Sequence, residues 1–155
     1  MAKTNAVRIL ESARIPFTLS HYEVDESDLS ATNVALKIGV DVESVFKTLI
    51  ANGDKTGICV FCIPGNEELN LKKAAKCSGN KSIEMIKVKD ILEITGYIRG
   101  GCSPIGMRKS FPTYIDETAQ IFEEIFISAG VRGTQICLEP TLLANLISAE
   151  FADLI

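Results

Sequence analysis

The stretch FKTLIANGDKTGICVFCIP, Phe46–Pro64, sets the fold class. Two apolar runs, FKTLIA and ICVFCIP, flank NGDKTG, whose asparagine, aspartate and glycines suit a tight reversal. The segment reads as a β-hairpin. By the two-residue period, Lys47 shares a face with Leu49 and Ala51, and Phe46 shares one with Thr48 and Ile50, so neither face of the first strand is cleanly polar.

Working outward, helical and strand patterns alternate along the chain. Thr4 or Asn5 can cap a first helix running to Arg14, stopped by Pro16. FTLSHY, Phe17–Tyr22, alternates like a half-buried strand. A helix near 30–38 ends at Gly39, and Asp41 can cap a short turn, VESV. Beyond the hairpin, Asn70 can cap LKKAAK, which closes at Ser78-Gly79, and KDILEITG is a helix ending at Gly96. SIEMI, YIRGG, PTYID, EIFIS and TQICL read as strands, the last two joined by a glycine-flanked turn. Pro140 suits the first turn of a final helix. These elements predict a single α+β domain spanning residues 1–155. Its sheet is mixed and curved, a partial barrel of about seven strands with helices outside.

The chain has 155 residues and is 46% hydrophobic, with a net charge of −4. It shows no signal-peptide pattern and no apolar run near the roughly 20 residues that a membrane helix needs. A cytoplasmic protein with no membrane association is expected. Five scattered cysteines argue for a reducing compartment rather than a disulfide framework. Cys59 and Cys62 form a CxxC, but on a strand residues three apart point to opposite faces. With one histidine, His21, and no second CxxC, four zinc ligands cannot readily be gathered, and no metal or other cofactor is expected. The charge is uneven: Lys72–Lys109 holds nine basic and three acidic residues, +6, leaving −10 for the rest. Such a protein does not suit tight binding of duplex nucleic acid, yet the basic segment could steer one end of a nucleic acid to a site.

Chemistry has few places to sit. His21 lies in phase with Phe17 and Leu19 and reads as a packed or partly exposed residue rather than a catalytic base. Phosphate-binding, dinucleotide and zinc-protease motifs are absent. Lys47 is embedded in VFKTLI, where a buried charge is costly, and it is a candidate to grip an anionic or carbonyl oxygen. RGGCSPIG, Arg99–Gly106, offers bare backbone N–H groups that could approach a ligand closely; alternatively it is a tight turn that needs glycine. SAGVRG, Ser128–Gly133, repeats the pattern. Cys102 could be a nucleophile, although no base lies nearby in sequence.

Lys47 in VFKTLI, LNLKKAAK at 69–76, GYIRGGCSPIG at 96–106, PTYID at 112–116, SAGVRG at 128–133 and FAD at 151–153 occur in one order. This set resembles the YbaK/EbsC-type aminoacyl-tRNA deacylases, freestanding Cys-tRNA(Pro) deacylases related to the editing domain inserted in bacterial prolyl-tRNA synthetases. The resemblance implies a trans-editing deacylase that clears cysteine from tRNA(Pro) in association with prolyl-tRNA synthetase. The substrate's own thiol would attack the ester, so no metal or protein nucleophile is required. By the same resemblance, Lys47, Gly100 and Gly101 carry the catalytic roles. Lys47 would hold the terminal adenosine or ester, and the two glycines would line the carbonyl. Tyr22, Phe46, Ser103, Ser128, Gly130 and Gln135 would line the substrate pocket, and the basic segment would meet the acceptor end. Gln135 stands where a relative has aspartate, a change that keeps a hydrogen bond to the substrate amine but loses the charge attraction. Two other readings remain open at this point: a non-catalytic tRNA- or nucleotide-binding module or synthetase adaptor on the same fold, and a thiol enzyme using Cys102 or the CxxC.

Overall fold

In the computed structural model, which describes residues 3–155, the hairpin is the centre of the molecule. Strands β2 (Phe46–Gly53) and β3 (Gly57–Pro64) pair antiparallel in register from Phe46↔Pro64 to Gly53↔Gly57. Preceding them are α1 (Asn5–Ser12), β1 (Thr18–His21) and α2 (Ala31–Ile38). After the hairpin come α3 (Leu71–Ser78), β4 (Ile83–Met85), α4 (Ile91–Thr95), β5 (Thr113–Asp116), β6 (Ile125–Ser128), β7 (Thr134–Leu138), α5 (Pro140–Ile147) and β8 (Glu150–Ala152).

The strands form two sheets. One runs β4-β2-β3-β5-β8, with β5 parallel to both β3 and β8; the other is the antiparallel β1-β7-β6. A parallel bridge between Val45 and Phe126 ties the start of β2 to β6, so the sheets meet at a corner without closing into a barrel. The expected mixed, curved architecture is present.

Alternation along β3 explains its continuous apolar run. Val60 and Cys62 enter the main core with Phe46, Ile50, Ile115, Ile127 and Ile136. Cys59, Phe61 and Ile63 face a second core under α3 and the C-terminal Leu154. The CxxC cysteines therefore sit on opposite faces, both fully buried, and burial pushes the Cys62 thiol up to about 12. They pack; they do not form a redox pair.

Capping residues behave as their chemistry dictates. Thr4, Ser30 and Asn70 accept backbone N–H groups at the starts of α1, α2 and α3, and Gly39, Gly79 and Gly96 end α2, α3 and α4 in the left-handed region.

Four boundaries differ from the sequence expectation. The first helix stops at Ser12 rather than Arg14, which has φ +58°. β1 is an edge strand whose Leu19 is 40% exposed, so FTLSHY is more open than half-buried. YIRGG is not a strand: the Thr95 hydroxyl takes the Tyr97 N–H and the Ile98 carbonyl takes the Gly101 N–H, so local bonds consume the donors a ladder would need. Conversely, Glu150–Ala152 is a strand, because Asp116 accepts the Leu154 N–H at 2.9 Å and draws the C-terminal segment alongside β5.

Candidate functional site

A cleft of about 440 Å³ opens between the first half of β2, the start of α2 and the Arg99–Cys102 loop, with Ser128 and Gln135 contributed by β6 and β7. It lies at the corner between the sheets, beside the bridge that ties the start of β2 to β6.

Lys47, Phe46, Gly100, Ser128 and Gln135 all border this cleft. The Lys47 Nζ donates to the Gly65 carbonyl at 3.2 Å. Partial burial lowers the pKa of this ammonium from its ordinary value, against the opposing charges of Glu68 and Glu67. Lys47 is thus a half-desolvated cation held by one backbone oxygen.

Gln135 is 5% exposed, and its Oε1 is a buried side-chain oxygen with no hydrogen-bond partner among the described residues. Such a group ordinarily costs ~1–3 kcal/mol, and few are left in folded proteins. Gln135 lines the cleft, while its Oε1 is itself sealed from solvent.

The remaining expected residues lie behind or beside the cleft. Gly101 is buried, and a Cβ on it would stand 3.1 Å from the Val131 carbonyl carbon and the Arg132 nitrogen, so glycine there lets two loop backbones touch. Ser103 is fully buried and accepts the Ile105 N–H at 3.3 Å. Gly130 has φ +99°; a Cβ would press on the Tyr97 ring at 2.8 Å, and its N–H reaches the Ser128 hydroxyl at 3.2 Å. Tyr22 follows the edge strand and bonds through its backbone to Gly133. These four shape the two glycine loops rather than wall the cleft.

His21 is exposed, with Nδ1 3.1 Å from the Thr134 hydroxyl, and does not border the cleft. Cys102 does, but burial pushes its thiol up to about 11, so it is protonated at neutral pH and has no base to activate it. No group of three or more metal-ligating side chains occurs among the described residues. No helix among them is long and apolar enough to cross a membrane.

Sequence reasoning missed the far wall, formed by Leu29, Val34, Met85, Val88 and Ile91. In and next to this wall, Met85, Val88, Leu92 and Ile98 are apolar residues left exposed within the lysine-rich segment.

The model of the aminoacyl-tRNA editing domain family matches residues 26–146, and the chain belongs to that family. It is 50% identical over 152 residues to an Enterococcus faecalis protein assigned as the Cys-tRNA(Pro)/Cys-tRNA(Cys) deacylase EbsC, covering 98% of this chain and 93% of that one. It is 25% identical to the proline–tRNA ligase of Thermosipho melanesiensis over 92% of this chain, spanning 27% of that larger enzyme. Among solved structures, one described as a trans-editing enzyme for prolyl tRNA synthetase superimposes with a TM-score of 0.81 at 26% identity, covering 99% of this chain and 98% of that one.

Proposed function

We propose that this editing domain is a freestanding cytoplasmic deacylase that removes cysteine from tRNA(Pro). The observation that carries the reading is the cleft itself: Lys47, held by the Gly65 carbonyl, Gly100 and Gln135, with its unpartnered buried oxygen, all border one cleft of about 440 Å³, where the reading places a 3′-aminoacyl adenosine. In this reading the α-ammonium of the substrate donates to Gln135 Oε1. Lys47 holds the terminal adenosine or ester oxygen, and the Gly100 backbone polarises the ester carbonyl.

The cysteine sulfur then attacks its own carbonyl carbon. A carbon–sulfur bond forms, the ester carbon–oxygen bond breaks, and the thiol proton ends on the departing ribose oxygen. The products are tRNA and a cyclic thiolactone, which water opens to cysteine. The protonated Cys102 has no part in this. Gly101, Ser103, Gly130 and Tyr22 hold the loops in shape. In this reading Arg99 at the cleft and the lysines of the basic segment 72–109 meet the acceptor end, and prolyl-tRNA synthetase supplies the remaining tRNA affinity.

The test is release of labelled amino acid from Cys-tRNA(Pro), with Ala-tRNA(Pro) and Ser-tRNA(Pro) in parallel. Selective loss of cysteine is expected. Equal loss of alanine would rule out substrate-thiol attack, since alanine carries no nucleophile. Binding of Cys-tRNA(Pro) with release no faster than in buffer would leave a binding module on an editing fold.

A further inference from the structure

Ile98, Arg99, Gly100 and Gly101 form a tight turn closed by the Gly101 N–H to the Ile98 carbonyl at 2.9 Å, with Gly100 at φ +82° in its third position. That is the signature of a type II turn. Such a turn is bistable at its central peptide, because glycine tolerates either sign of φ and rotating the plane converts type II to type I. The closing hydrogen bond does not decide which way the Arg99–Gly100 peptide faces.

A second contact does. Arg132, from the other glycine loop, donates from Nε to the Arg99 carbonyl at 2.9 Å. The peptide is trans and planar, so its N–H points away from its carbonyl. Arg99 and Gly100 border the cleft, whereas Arg132 does not. Among the described residues no acceptor meets the Gly100 N–H. The Arg132 backbone is itself fixed against Gly101, where a Cβ would come within 3.1 Å.

We propose that Arg132 is a positioning residue: by holding the Arg99 carbonyl it sets the Arg99–Gly100 peptide so that the Gly100 N–H is presented to the cleft as the donor to a developing oxyanion. The purpose of that donor rests on the deacylase reading; the orientation of the peptide does not. Arg132 touches no substrate. It acts through the plane of one peptide, and the two glycine loops thereby form one device.

The test compares wild type with Arg132→Ala, Arg132→Gln and Arg132→Lys in two ways. In steady-state deacylation of Cys-tRNA(Pro), Arg132→Ala is expected to lower kcat by roughly 10–100-fold while KM stays within about 2-fold, since the lost interaction is made in the transition state. Arg132→Lys is expected to recover part of the loss. In ¹⁵N–¹H spectra of the substrate-free protein, the Gly100 amide is expected to shift or broaden in Arg132→Ala while amides far from the two loops stay in place. A raised KM with intact kcat, unchanged kinetics or an unmoved Gly100 amide would overturn the proposal. If Arg132→Ala fails to fold, the same readings are taken on Arg132→Gln. Wild type inactive on every aminoacyl-tRNA tested would reject the deacylase reading, and the Gly100 amide would still decide the peptide orientation.

Discussion

The ammonium of Lys47 rests on the carbonyl oxygen of Gly65, 3.2 Å away, at the point where β3 leaves the sheet beside the first residues of β2. Among the described residues, that carbonyl is the one hydrogen-bond acceptor the ammonium meets. Lys47→Ala is expected to lower deacylation of Cys-tRNA(Pro) by roughly 100-fold, with thermal unfolding changed little. A variant retaining wild-type turnover would remove this lysine from the site.

The lowered pKa of Lys47 has two consequences of opposite sign. A step that needs the ammonium fails as pH rises through the folded-state value, earlier than for an ordinary lysine, so the alkaline limb of the rate profile is displaced downward in pH. The unfolded chain binds this proton more tightly than the folded one. Between the folded and unfolded values, the Lys47 contribution therefore makes stability rise with pH. Rate profiles and denaturant titrations of wild type and Lys47→Met at alkaline pH check both: the displaced limb and the extra rise in stability are expected in wild type alone.

The orphaned Oε1 of Gln135 predicts that stability and activity part company. Gln135→Leu removes an unsatisfied buried acceptor and is expected to keep or raise stability, by about 1 kcal/mol. It is also expected to cost roughly 10–100-fold in kcat/KM, the worth of a hydrogen bond to a charged amine. Urea unfolding and deacylation on the same preparations decide the matter; parallel losses would make Gln135 a structural residue.

Cys102 borders the cleft, yet its thiol, pushed up to about 11 by burial, is neutral at pH 7. Cys102→Ala is expected to retain deacylation within about 3-fold. A loss of several orders of magnitude would revive a protein-thiol mechanism.

Asn80 anchors the central hairpin. Its Oδ1 accepts the backbone N–H groups of Lys55 and Thr56, each at 2.9 Å, and its Nδ2 reaches the Ser78 hydroxyl at 2.8 Å. The side chain lies against Gly53, where a Cβ would collide with it. Asn80→Ala removes the acceptor of the Lys55 and Thr56 N–H groups, which lie in an exposed turn, and is expected to cost about 1–2 kcal/mol in urea unfolding. A change near zero would show that the turn holds itself.

Much of this protein is written in local patterns. The hairpin follows from two apolar runs around NGDKTG, and α2, α3 and α4 end at glycines whose positive φ values no other residue takes cheaply. The caps Thr4, Ser30 and Asn70 are identifiable because their bonds lie within three residues. Lys47 was conspicuous as a charge inside an apolar strand. YIRGG misled because its composition suits a strand, while the Thr95 hydroxyl and the Gly101 turn claim its backbone first.

The sequence by itself determined the elements, their order and the residue types able to do chemistry, since these depend on φ/ψ preference, side-chain period and hydrogen bonds a few residues long. Only the tertiary structure decided which of those residues meet. Gly101 lies against Val131 and Arg132, Lys47 shares a cleft with Gln135, and Glu150–Ala152 becomes a strand because Asp116 draws Leu154 to it. Each contact joins segments about 30 or more residues apart and is set by packing two sheets at a corner, a nonlocal outcome that no short window of sequence contains.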